Sequence, residues 1–567
     1  MKYKRTIFFV LTLGAASGYA AEIKPASNQE VAQTWNRSTA ADMGPTLQEL
    51  DEGHFVLTKS GEVSLDTYAL DVTAAASTTT TANRSGNYYR LGAQTDIRRT
   101  NEKEETDYFQ ASLTHSKDPA VLSRTQNQIN NLQFGRARES YILSGGDVAP
   151  SFSSMSSSLA ARGVLGQKAF GYFLGTAYFG VIADSWESLA NSTPRSNFIR
   201  DAYGAKLEKD LFEGMNFYVT TQSAKDQRDS ITDPSVIGLV NAAEVSTSTI
   251  GFDYKPTGNF QLSAEVAQSK KRIDTLDDQT GKAGIVDASY RIGEVTLQGG
   301  YHDIDGLFSS LSSRVSPGIR ETYVGAGWKA TSWLRLDGSK REARNFYPVI
   351  GFGSETNKFT KSDSLSMVLT PLKDLSVTLQ KSNSNAEDFV AAAISKNEQS
   401  GIGVKYTFFG KWICAAQAST EQVRNESSPT YNSDTEKNRF SVSRLFTGES
   451  AVVTEPTWQL DSRLELSSQH QKMISTGNTT SQQSASLAIN SRLRNKVSID
   501  ASLTESGTAR PSALSDLKTH AKELAVAKEF SDTAKGRLYY RNLVSNDGEF
   551  ALKVEESLIG AQLSYGF

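Results

Sequence analysis

Ile559-Gly560-Ala561-Gln562-Leu563-Ser564-Tyr565-Gly566-Phe567, the last nine residues of the chain, alternate with a strict period of two. Ile559, Ala561, Leu563, Tyr565 and Phe567 share one face, and Gly560, Gln562, Ser564 and Gly566 share the other. A period of two is the side-chain repeat of a β-strand. An apolar face ending in two aromatics, backed by small and polar residues, suits a closed barrel with lipid outside and water or packed polar side chains inside. The same nine residues also fit an edge strand of a soluble sheet, so the rest of the chain has to decide.

At the other end, Lys2, Lys4 and Arg5 precede an apolar run from Ile7 to Ala16, followed by Gly18, Tyr19 and Ala20. The run is too short to span a bilayer, and the pattern is that of a secretory signal peptide, residues 1–20, cut after Ala20. Its removal leaves 57 basic against 63 acidic residues, a formal charge of −6, which argues against a nucleic-acid partner. No later segment reaches the eighteen or so apolar residues of a membrane helix, and mean hydropathy is −0.41. A barrel remains allowed, because its strands hide half their residues from lipid. Cys414 is the only cysteine, so no internal disulfide and no cysteine metal cluster can form. Closing a sheet on itself would satisfy every backbone group without them.

Residues 21–61 lack alternation and contain Pro25, Pro45 and the acidic cluster Glu49, Asp51 and Glu52, which reads as a periplasmic lead-in. Residues 62–567 are expected to form the barrel. From Tyr88 onward the chain becomes a series of alternating segments about ten residues long, the length a tilted strand needs to cross hydrocarbon. Ile250, Phe252 and Tyr254 alternate into Lys255-Pro256-Thr257-Gly258-Asn259, and Phe260, Leu262, Ala264 and Val266 alternate out of it. The same pattern turns at Gly293, Pro371, Gly410 and Asn495.

Between these short turns the sequence has long polar stretches: 272–282, 303–319, 341–359, 383–397, 421–436, 467–480 and 504–517. Short turns facing the periplasm and long loops outside are the habit of outer-membrane barrels. Counted back from Phe567, every short turn falls on the periplasmic side as far as Gly166. Segments near 130–143, 106–115 and 87–98 then complete about 24 antiparallel strands, with 22 or 26 as neighbouring counts. Val63–Val72 also alternates and leaves the number open.

The inward positions of these strands carry charges of both signs: Asp287 and Arg291, Arg335 and Asp337, Arg492 and Asp500, Arg537 and Arg541. So wide a sheet encloses more space than its side chains fill, so the lumen holds water, a plug or a partner. Trp328, Trp333, Trp412 and Phe408 beside short turns would form one interfacial girdle, with Trp186 and Tyr347 on the long-loop side.

Two resemblances follow. Phe567, with Tyr565 two residues earlier, resembles the C-terminal signal by which bacterial outer-membrane barrels are recognised by their assembly machinery. It implies insertion into the outer membrane of a Gram-negative cell. Ser144-Gly145-Gly146-Asp147-Val148-Ala149-Pro150, the Ser-rich stretch to Ser158, and Arg162-Gly163-Val164 resemble a stretch in the barrels of fimbrial ushers, which have 24 strands. Ushers also carry soluble domains with no counterpart in this pattern. A glycine-rich loop with an Asp turn explains the same residues.

No enzyme is expected. Of the five histidines, His302 with Asp303 and Asp305 has the best setting for acid–base work, yet neither a second acidic pair nor a serine motif accompanies it. The acidic runs 102–105 and 274–278 lack the spacing of a calcium loop, so neither metal nor cofactor is expected. No phosphate-binding loop is present. The sequence therefore points to a passive outer-membrane channel or export conduit with a polar lumen. One alternative is a structural sleeve around a lumenal or periplasmic partner, similar in size and hairpin style to the barrels that sheath multihaem cytochromes. Another is a surface adhesin displayed on long loops.

Overall fold

The structure, a computed structural model, describes residues 48–50, 55–74 and 85–567, except for 104, 119–125, 157–159, 184, 191–194, 237–238, 275, 311–315, 348–355, 391–392, 410, 449–457, 494, 511–515 and 548–551. The expected signal peptide and most of the expected lead-in lie outside these residues. One antiparallel sheet contains every described strand, and twenty-six strands, from Phe55–Ala74 to Leu552–Gly566, close into a ring. Closure runs from Glu62 opposite Gly566 to Ala74 opposite Val554. Beyond it, the Gly61 and Phe567 backbones exchange two hydrogen bonds of 2.9 Å.

Two differences account for the count of 26 where 24 was expected. The alternating segment around Val63–Val72 is the strand that receives the chain's end, and it starts at Phe55, which brings residues 55–61 of the expected lead-in into the wall. The segment 130–143 is two strands, Asn127–Ala137 and Tyr141–Val148, separated by a turn at 138–140. Gly166 lies within the strand Ala161–Phe170, and the turn falls at Gly171 and Tyr172. Gln48–Leu50 folds back on Phe55–Leu57 and occupies the edge left free where the terminal strand stops.

Both ends of the ring lie on the rim whose connections are two to four residues long, with 449–457 as the longer exception. The apolar column faces outward along each strand, as with Val266, Leu365, Leu538 and Ile559, each about 60% exposed. In water such a surface would be unstable, and in lipid it is the expected outer face. Tyr172, Phe212, Trp328, Trp333, Phe409 and Phe530 stand exposed at the short-turn rim, an aromatic girdle. Trp412 is half-buried, stacked on Phe408 and capped by Arg444, whose guanidinium lies 4.7 Å from its ring. Trp186 belongs to no girdle: its indole N–H donates to Asp147 at 2.9 Å.

The opposite rim differs from expectation. Three of the seven expected long loops, 272–282, 383–397 and 467–480, are strand almost to their tips, with Ile273 opposite Leu276 and Asp388 opposite Ala393. Above the lipid both faces of a strand are wet, so the apolar alternation that marks a strand in sequence disappears while the backbone ladder continues.

Candidate functional site

The lumen is the candidate site. Twenty-six strands about 4.8 Å apart and tilted by about 40° enclose a ring about 50 Å across between backbones, too wide for side chains on opposite walls to meet. The wall must therefore satisfy its charges along its own surface. Arg335 and Asp337 form an ion pair at 2.9 Å two residues apart on one strand, as do Arg98 and Asp96 at 2.9 Å. Glu465 bridges Arg439 and Arg463, each at 2.8 Å, and Arg541 pairs with Glu556 on the next strand. Arg537 lies 5.6 Å from the Tyr539 ring, and Arg291 donates to the Gly293 carbonyl at 3.3 Å. Arg492 sits opposite Ser498, and Asp500 opposite Asn490. All eight residues expected to face the lumen occupy the face opposite the apolar column.

A joint recurs on this inner face. Tyr539 lies over Gly560 on the neighbouring strand and reaches Asp66 on the strand beyond, donating at 2.7 Å across the closure. A Cβ on Gly560 would meet the Tyr539 ring at 2.3 Å, so only glycine leaves room. Tyr323 crosses Gly300 to Asp287 at 2.6 Å, Tyr218 crosses Gly251 to Glu265 at 3.3 Å, and Tyr108 crosses Gly135 to Ser144 at 2.6 Å. Asp287 also bonds His302 at 2.9 Å, so His302, singled out in the sequence beside Asp303 and Asp305, is part of a wall joint. Each joint ties three strands, and each hydroxyl–carboxylate bond contributes about 1.5–3 kcal/mol.

One sector of the lumen carries a second layer. After Val148 the chain turns inward, and Phe152 and Met155 are fully buried against the inner wall. Phe152 packs on Tyr178 and over Gly204, where a Cβ would come within 2.5 Å of its ring. Met155 joins a cluster with Ala267, Ala283, Ile304 and Phe308, which brings in a second inward segment, Asp305–Ser310. Ser309 N–H donates to Ser269 Oγ at 2.9 Å, and Thr247 Oγ1 donates to the Ser309 carbonyl at 3.2 Å. Gly145 and Gly146, expected in a loop, belong to a strand: Gly146 has φ of +95°, and Asp147 accepts from Leu132 N–H at 2.7 Å. The sequence flagged this region but gave no sign that it enters the lumen, because its anchor, Glu265, lies more than a hundred residues away.

These features define a closed transmembrane β-barrel of the outer-membrane type. No protein-family model and no curated protein matches the chain. Among solved structures it is similar to the ferric enterobactin receptor of Pseudomonas aeruginosa, with 8% identity, 92% of this chain and 82% of that one covered, and a TM-score of 0.42. It is also similar to the P pilus usher translocation pore, with 10% identity, 89% and 99% covered and a TM-score of 0.33. An anion-selective porin from Comamonas acidovorans has 14% identity, 52% and 90% covered and a TM-score of 0.28.

Proposed function

We propose that this protein is a wide, water-filled conduit of the Gram-negative outer membrane, through which polar solutes or an exported chain pass passively. The observation that supports it most is the pairing of inner charges along the wall, which leaves the centre of a ring about 50 Å across to water. Export through a cleaved leader and insertion by the barrel-assembly machinery through Tyr565 and Phe567 belong to this reading, and catalysis does not. Purified protein in planar bilayers is expected to give large stepwise conductance; a silent bilayer with correctly folded, heat-modifiable protein refutes the open conduit. A second reading, a sleeve around a partner protein, draws on the same width, and a stoichiometric lumenal partner retained in mild detergent would favour it. The adhesin expectation has less support, because the outer connections after Gly318 are only four to eight residues long.

A further inference from the structure

The inward layer covers a mixed wall, in which small apolar residues such as Ala202, Ala224, Ala267 and Ala283 alternate with buried polar ones. Beneath segments 149–156 and 305–310 lie Thr220, Gln222, Thr247, Thr249 and Ser269, all buried to 2% exposure or less. Gln222 Nε2 and Thr249 Oγ1 are left there without a hydrogen-bond partner. Thr220, Thr247 and Ser269 are bonded to Ser156 and Ser309 of the layer, but the two unpaired groups forfeit their hydration, which is unfavourable. Burial of Phe152, Met155 and Phe308 works in the other direction. Apart from a hydroxyl bond of 2.9 Å between Ser156 and Thr220, the polar attachment of segment 149–156 converges on one side chain, Glu265, which is 3% exposed on the strand Phe260–Ile273. Its carboxylate accepts from Ser153 Oγ at 2.5 Å, Ser154 N–H at 3.2 Å, Met155 N–H at 3.1 Å and Tyr218 Oη at 3.3 Å, and also from Ser154 Oγ.

We infer that segment 149–156 is a releasable lining of the conduit and that Glu265 is the positioning residue that latches it. The inference rests on the open-conduit reading only for its consequence on flow. The layer lies against eight of the 26 strands, Ala161–Phe170 through Val295–Ile304. A packed layer about 10 Å thick over that arc removes about a fifth of the open cross-section. Releasing it therefore raises conductance about 1.25-fold and admits larger neutral polymers.

The test uses the full-length protein in two assays. In the first, Met155→Cys is introduced into a Cys414→Ser background and labelled with a membrane-impermeant maleimide. Labelling is expected to be slow with Glu265 present, at least tenfold faster with Glu265→Ala, and intermediate with Glu265→Gln, which keeps one acceptor. Equal slow labelling in all three overturns the latch. So does fast labelling with Glu265 intact, because the lining would then already be loose. In the second assay, single-channel conductance and polymer exclusion are compared between Cys414→Ser and Cys414→Ser/Glu265→Ala, each shown to be folded by its heat-dependent gel mobility. Faster labelling without any conductance would uphold the latch and refute the conduit, whereas unchanged conductance in an open channel would overturn the lining as the element that narrows it.

Discussion

The strands from Thr106 to Asp226 and those from Ile319 to Gly566 belong to one sheet but use the chain differently. In the first sector strands are 8–13 residues long and the outer connections run to 10–17 residues; in the second, strands are 13–17 residues long and outer connections four to eight. The first sector turns its spare chain inward as a lining, and the second builds it upward as wall. Burial follows the same division: among the described residues, the only buried hydrophobic side chains after Phe308 are Ala343 and Ala525. One sector thus has a small core, and the other is held by backbone ladders and inner ion pairs, with tyrosine joints in both. A closed ring needs no core because its ladders satisfy every strand on both edges. A core inside such a ring therefore needs a reason other than holding the barrel together.

The comparison can be broken most forcefully at the closure. Gly560→Val places side-chain atoms where the Tyr539 ring lies, displacing it from Asp66. The lost bond to a charged group and the accompanying strain together cost about 3–5 kcal/mol. The folded band on unheated gels is expected to disappear at a markedly lower temperature, while Gly507→Ala, with no atom near its added Cβ, leaves that temperature unchanged. Equal behaviour of the two variants would mean that the Tyr539 joint does not hold the closure.

An effect on global stability that is smaller, because it is confined to one segment, is expected in the lined sector. Phe152→Ala removes about 3–5 kcal/mol of packing, but from the lining alone. Amide hydrogen exchange is expected to speed up at residues 151–156 and to stay unchanged in the ladders of Thr479–Leu493 and Val497–Ala509. If the whole barrel loosened, the lining would be part of the wall's stability and the division between sectors would fail. Smallest of all, Arg335→Ala breaks an ion pair open to the lumen and costs less than about 1 kcal/mol. Its expected signature is a modest shift of reversal potential toward cations with no change in thermal mobility.

What could be read without coordinates follows from where lipid touches the chain. Outward columns such as Ile250, Phe252 and Tyr254 must be apolar, and short turns must punctuate them, so barrel, parity and closing strand were all legible from period-two patterns. The Val63–Val72 segment alternates for the same reason, which is what kept a count of 26 open. The turn at 138–140 was not legible, because Tyr141–Val148 is only eight residues long and carries two glycines, Gly145 and Gly146, the second at a φ of +95°. Strand above the lipid was equally hidden, since water on both faces removes the pattern. The eight lumenal charges could be assigned a face but not a partner.

Alternation alone therefore determined that this chain is a closed, lipid-facing barrel, because the membrane imposes its constraint residue by residue along each strand. Only the tertiary structure decided that Ser153, Ser154 and Met155 meet Glu265, that Tyr539 reaches Asp66 across the closure, and that one sector of the lumen is lined while the other is bare. Those contacts join positions tens to hundreds of residues apart through an aqueous interior, where no solvent boundary writes a periodic signal into the sequence.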